Sequence, residues 1–313
     1  MNRTRTTAIV VVAVLALPLV SGSPYVFHVA AMTGFYVVLA QSLNLVLGYG
    51  GLLSLATPAF FGIGAYVAAI LSLRLGWDSA VTFPLASLAG VMSGIAIGFP
   101  SLRVSRHSFV IVTLSATLLL QLVANNWEDV TRGSLGLANI PAPRLFGVAV
   151  TERTEWYLLS LAMAGAVVFV TSLVAGSRFG RAMVATRDNE QLALAIGLDV
   201  FSTRLFALSL SGAFAGLAGA LYAHFITYID PGVFGFSVSE TLLIMVILGG
   251  SGTLWGPVVG AVVFTVLPEV LRLAPEMRSL LYGVILLLIV LYRPSGLATW
   301  LGRRRAAGAA PFA

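Results

Sequence analysis

Cysteine is absent from the 313-residue chain, and so is lysine, so that all 18 basic residues are arginine. Without cysteine there is no disulfide, no thiolate metal site and no Cys nucleophile. Without lysine the chain lacks the Gly-Lys-Ser/Thr of a phosphate-binding loop and cannot hydrolyse ATP by that route. Charge of either sign is scarce at 10%. Soluble domains carry about 25%, so a water-facing surface of this size cannot be covered. Histidine occurs only at 28, 107 and 224, too dispersed for a metal cluster. What fills the chain instead is apolar: 58% hydrophobic residues, a mean hydropathy of +0.97 and 32 Gly. These proportions define a membrane protein. Its net charge of +6 then reports topology before nucleic acid, and no basic run is interleaved with aromatics.

A membrane-spanning helix needs about 20 mostly apolar residues. Between Arg5 and Arg74 there are 68 residues without Asp, Glu or Arg, divided by Pro24 and by Gly48-Tyr49-Gly50-Gly51. This stretch predicts three spans, Ala8 to Val20, Tyr25 to Leu47 and Leu52 to Leu73. Four more follow at Ser79 to Leu102, His107 to Trp127, Trp156 to Ser177 and Leu205 to Ile229. Thr241 to Pro268 is charge-free but interrupted by Gly249-Gly250-Ser251-Gly252 and Gly256-Pro257, which predicts two short helices, both crossing or both re-entrant. A last segment runs from Leu280 to Tyr292. The expectation is an all-α polytopic bundle of about ten transmembrane or re-entrant segments, forming one transmembrane domain over residues 1–313.

Cytoplasmic flanks collect arginine. With the N-terminus inside, 12 arginines fall on the inner side and six, Arg74, Arg132, Arg144, Arg153, Arg272 and Arg278, on the outer side. Both termini are then cytoplasmic. Arg3 and Arg5 ahead of a 13-residue apolar run and Ser21-Gly22-Ser23 also fit a secretory signal, and both readings of the first segment stand.

Two polar segments interrupt the bundle. Residues 126–155 read as an external loop. Residues 176–204 read as a cytoplasmic loop, in which Arg178, Arg181, Arg187 and Arg204 alternate with Asp188, Glu190 and Asp199 while Met183, Leu192, Ala193, Leu194 and Ile196 recur at near-helical spacing. That pattern predicts one or two amphipathic helices, either lying on anionic lipid or docking a cytoplasmic partner.

Small residues every fourth position, at Gly90, Gly94 and Gly98, at Gly212, Gly216 and Ala220, and at Gly252, Gly256 and Gly260, predict close backbone packing of helices. Polar residues at membrane depth carry more functional meaning, because lipid offers them no partner. Thr113, Thr117, Gln121 and Asn125 form one stripe at i+4 spacing, and Gln41 and Asn44 share a face. Pro58 is expected to kink or break its helix and free a carbonyl near Ser54. Broken helices suit a buried polar ligand. The candidate path residues are therefore Gln41, Asn44, Thr57, Thr113, Thr117 and Gln121, with interhelical hydrogen bonding as the alternative role. Asp and Glu stay at segment ends or in loops, His224 reads as a partnered interfacial residue, and no acid/base constellation is visible. No enzyme activity, metal or cofactor is expected.

The runs Gln41-Ser42-Leu43-Asn44-Leu45-Val46-Leu47-Gly48-Tyr49-Gly50-Gly51 and Ala59-Phe60-Phe61-Gly62-Ile63-Gly64-Ala65-Tyr66 resemble the signature of permease subunits of ATP-binding-cassette (ABC) importers for branched-chain amino acids. The likeness continues through Thr131-Arg132-Gly133-Ser134-Leu135-Gly136-Leu137, Phe179-Gly180-Arg181-Ala182, Leu248-Gly249-Gly250-Ser251-Gly252-Thr253-Leu254-Trp255-Gly256-Pro257 and Arg293-Pro294-Ser295-Gly296-Leu297. It covers nearly the whole chain after the first span. The resemblance implies a multi-pass subunit of a bacterial plasma (inner) membrane, working with a second permease chain as a heterodimer, two cytoplasmic ATP-binding subunits and an extracytoplasmic solute-binding protein, in contact with lipid and not nucleic acid. It also gives the cytoplasmic loop a coupling role, over Arg178, Gly180, Arg181, Arg187, Glu190, Ala193 and Gly197. Only Ala193 and Gly197 keep the family's Glu-Ala-Ala and Gly pattern, with Glu190 as the replacement acidic contact. Two departures concern substrate: Ala56-Thr57-Pro58-Ala59 stands where Gly-His-Ala-Ala is common, and Leu118 where an acidic residue is common. Urea, an amide or a small carboxylate therefore stays open beside an amino acid, and an ATP-independent channel or facilitator is the alternative class.

Overall fold

The computed structural model describes residues 24–145 and 147–270, with the isolated positions 283, 287, 296 and 297. The expected segments Ala8 to Val20 and Leu280 to Tyr292 lie outside the described residues. Among the described residues six helices are long and apolar enough to cross a membrane. They are α1 (Pro24–Asn44), α2 (Thr57–Leu75), α3 (Ser79–Ser101), α4 (Arg106–Asn126), α6 (Arg153–Gly176) and α9 (Val200–Ile226). Between them lie the short α5 (Glu128–Thr131), α7 (Arg178–Asp188) and α8 (Glu190–Ala195), followed by α10 (Phe236–Gly249) and α11 (Gly256–Val270). The chain is not purely helical. Two-residue strands pair antiparallel, β1 (Leu137–Ala138) with β4 (Tyr228–Ile229) and β2 (Arg144–Leu145) with β3 (Val148–Ala149).

Helix boundaries follow their caps. Ser105, Ser177, Asn189 and Asp199 each accept a hydrogen bond from a backbone N–H of the first turn of α4, α7, α8 and α9, satisfying donors that a helix start leaves unpaired. A reciprocal pair of bonds between Glu152 and Glu155 opens α6. Gly76, at φ +65°, closes α2. Pro58 does not kink a helix as expected. It sits in the first turn of α2, where its missing N–H is not needed. The interruption lies just upstream instead: α1 ends in a π-helical turn at Leu45–Tyr49, Gly51 turns at φ +67°, and residues 51–56 belong to no helix or strand.

Helix α9 is the centre of the bundle, packed on α1, α2 and α3. Glycine makes this possible. A Cβ on Gly212 would lie 2.1 Å from the Gly90 carbonyl oxygen, one on Gly90 2.0 Å from that of Gly212, and one on Gly64 2.2 Å from that of Gly216. The helices thus touch backbone to backbone, the close approach that small residues permit. Gly249 and Gly260 bring α10 and α11 together in the same way.

Candidate functional site

The two interruptions in the helical bundle meet each other. Asn44, fully buried, donates from Nδ2 to the Thr253 carbonyl at 3.0 Å and accepts from the Gly252 N–H at 2.8 Å. Gln41, one turn earlier, donates from Nε2 to the Leu254 carbonyl at 2.7 Å. A side chain at Gly48 would collide with Asn44 Oδ1 and with Gly252 N. Gly296 lies against Gly250. Segments far apart in sequence therefore converge on one hub, and the amide pair that the sequence places on a solute path holds the loop between α10 and α11, with Gln41 Oε1 left buried and without a hydrogen-bond partner.

Thr113 and Thr117 divide in the same manner from Gln121. Both threonines are buried beside the non-helical stretch before α2. The Leu55 N–H donates to Thr113 Oγ1 at 3.3 Å, and Thr117 Oγ1 donates to the Leu55 carbonyl at 2.9 Å. Ser239 adds a bond to the same carbonyl at 3.3 Å. A non-helical residue inside an apolar bundle would otherwise leave both backbone groups unpaired, at a cost of about 1–3 kcal/mol each. Thr57 is buried at the start of α2. Gln121 and Asn125, farther along the stripe, instead line an open cavity of about 430 Å³ with Leu118, Ser134 and Asp230. Asp230 also lines a second cavity, of about 190 Å³, between α1, α2 and α9. It follows β4, and the periodicity of the preceding helix gave no signal for it.

The α7–α8 segment is pinned to the bundle from both ends. Arg187 donates from Nη1 to the Gly48 carbonyl at 2.7 Å, and its side chain passes directly over Gly51 and Gly252. Arg204, almost fully buried at the base of α9, grips Glu190 with two bonds of 3.0 and 2.7 Å, and Arg106 approaches the same carboxylate at 3.7 Å. The bidentate Arg204 bond, helped by the charges of Arg204 and Arg106, holds the Glu190 carboxyl below its ordinary range against the opposing effect of partial burial. Glu190 is thus committed within the chain. Gly180 packs against the carbonyls of Val174 and Ala175, and Arg181 donates to the Gly176 carbonyl at 2.9 Å. Arg178 lies over the Phe179 ring. Ala193 is buried, whereas Leu192, Leu194 and Ile196 are more than half exposed and Gly197, at φ +80°, stands in open space. His224 is buried, with Nδ1 2.8 Å from the Pro141 carbonyl and Nε2 3.4 Å from Ser72.

An apolar helical bundle with broken helices at its centre, and a polar helical pair clamped beneath the breaks, is the build of a membrane permease component. Residues 25–290 match the model of the family described as branched-chain amino acid transport system, permease component, and the chain belongs to that family. It is 32% identical to the high-affinity branched-chain amino acid transport system permease protein LivM of Salmonella typhimurium, over 86% of this chain and 69% of that protein. It is 24% identical to LivH of Escherichia coli, over 87% and 93%, and 24% identical to the probable LivM of Methanocaldococcus jannaschii, over 84% and 90%. No solved structure matches it. The chain is accordingly a plasma-membrane transport component and not an enzyme, and its relatives LivM and LivH are permease subunits of a multi-subunit system.

Proposed function

We propose that the chain forms half of the translocation path of an ABC importer for branched-chain or related amino acids. A second permease chain supplies the other half, two cytoplasmic ATP-binding subunits drive the cycle, and an extracytoplasmic solute-binding protein delivers the solute. In this reading the bundle has about ten segments with both termini cytoplasmic, residues 126–155 lie outside and residues 176–204 lie inside. Gln41, Asn44, Thr57, Thr113 and Thr117 act by fixing the helix breaks, and Gln121 faces the solute.

The observation that carries the proposal is the shape of α7–α8. Leu192, Leu194 and Ile196 face outward, while the other side is fastened by Arg187 to Gly48 and by Glu190 to Arg204. An exposed apolar rim on a rigidly held amphipathic segment is what a partner cleft can grip, and the Arg187 bond transmits any displacement straight to the hub of broken helices. A stand-alone facilitator has no use for such a segment. The test is co-purification under mild detergent. The parent chain should bring down a P-loop ATPase, and Leu192→Glu with Ile196→Glu should lose it while the permease pair stays intact. Retention of the ATPase by the double variant removes this segment from the coupling role.

A further inference from the structure

Asp230 stands at the seam of two cavities and is half-buried between them. Its Oδ1 accepts from the Gly232 N–H at 2.6 Å, which fixes the carboxylate at the start of the Pro231–Phe234 turn. Among the described residues no arginine lies within ion-pair distance of it. It lines one cavity together with Tyr36 and Tyr222, so it borders the bundle and not only solvent. The smaller cavity is walled by the rings of Tyr36, Phe61 and Tyr222 and floored by Leu39, Val233 and Val238. Its 190 Å³ equals about six waters at about 30 Å³ each, enough for one small aliphatic molecule.

This chemistry selects a ligand class. A carboxylate without an ion-pair partner among the described residues, lining a cavity with aromatic rings, attracts an ammonium group by charge, and such rings can add cation–π contact. The aliphatic floor takes a hydrocarbon end. A carboxylate with no ammonium group would be repelled, and urea or a simple amide would leave the charge unanswered. We propose that Asp230 receives the ammonium group of an aliphatic amino acid in transit, with its side chain against Tyr36, Phe61 and Tyr222. The proposal rests on the importer reading above and narrows its substrate to ammonium-bearing solutes. The backbone bond from Gly232 holds the carboxylate in place before the solute arrives, so little ordering is needed on binding. Partial exposure keeps it hydrated between solutes, which suits a site that must also release.

The test uses the purified permease complex, in which the absence of cysteine from this chain allows a single thiol to be placed by Val238→Cys. A cationic methanethiosulfonate should modify that thiol about tenfold faster than an anionic one, the scale of one charged hydrogen bond. L-leucine should slow the reaction, and 4-methylpentanoate, which has the same side chain but no ammonium group, should not. Adding Asp230→Asn, which keeps the shape and the Gly232 bond, should abolish both the charge preference and the leucine protection. In proteoliposomes Asp230→Asn should lower leucine uptake about tenfold, with complex yield and basal ATP hydrolysis preserved and partial recovery in Asp230→Glu. If the parent imports leucine and Asp230→Asn does so equally, or 4-methylpentanoate protects as well as leucine, the ammonium site is overturned while the importer reading stands. If the parent imports no amino acid but 3-methylbutylamine protects the thiol in an Asp230-dependent way, the ammonium site stands and the amino-acid importer reading falls.

Discussion

Thr117 shows how a polar residue at membrane depth can serve the backbone. Its hydroxyl donates both to its own helix, at the Thr113 carbonyl 3.0 Å away, and across to Leu55 at 2.9 Å. Thr117→Val keeps the shape and removes that hydroxyl, so we expect the folded complex to lose about 1 kcal/mol, read as a lower melting temperature in detergent. Unchanged stability with slowed transport would return Thr117 to the solute path. Glu190 makes a prediction about pH. Its carboxyl is held below the ordinary value by Arg204, so its contribution is fully present above the unfolded value of about 4.3 and is lost as pH falls through the lower folded value. Amide exchange over residues 190–196 should stay slow down to the ordinary glutamate range and rise only below it. Glu190→Gln should show the faster exchange at every pH.

Among the elements, α9 and α3 depend on the absence of side chains. Gly212→Ala puts a methyl within 2.1 Å of the Gly90 carbonyl oxygen and forces the helices apart, a change expected to cost about 1–3 kcal/mol. Gly165→Ala on α6 is the matched control, because nothing lies within 4 Å of the added carbon. There the gain in helix propensity should stabilise by about 0.5–1 kcal/mol. Thermal denaturation of the two purified variants should move in opposite directions. The positions of these helices were legible because charge-free stretches and glycine spacing are local properties. The start of α2 was not, since Leu52 to Ala56 is nearly as apolar as a helix, and its backbone bonds go to Thr113, Thr117 and Ser239 of other elements.

The molecule as a whole has to be oriented, and arginine placement gives the expectation. Single cysteines replacing Arg132, Arg144 or Arg153 should react with an impermeant thiol reagent in intact cells, and those replacing Arg181 or Arg304 should react only after the membrane is opened. Labelling of Arg304→Cys in intact cells would mean that the segments after Thr241 cross an even number of times. The whole-molecule view also explains why the quoted runs around Gly48, Gly252 and Gly296 belong together: they meet at one hub, with Arg187 of the polar segment completing it.

The sequence by itself determined that the chain lives in a membrane, where six of its long helices run, which family it belongs to and that any ATP is hydrolysed elsewhere. Each of these follows from composition, run length or the order of short motifs, and none requires knowing which residues touch. The tertiary structure alone decided what the polar residues do. Asn44 and Thr117 became braces because backbone groups from Gly252 and Leu55, 208 and 62 positions away, arrive unpaired beside them in a medium without water. Asp230, a loop residue with no periodicity to mark it, lines two cavities because the Pro231–Phe234 turn sets it between walls that come from helices distant in the chain.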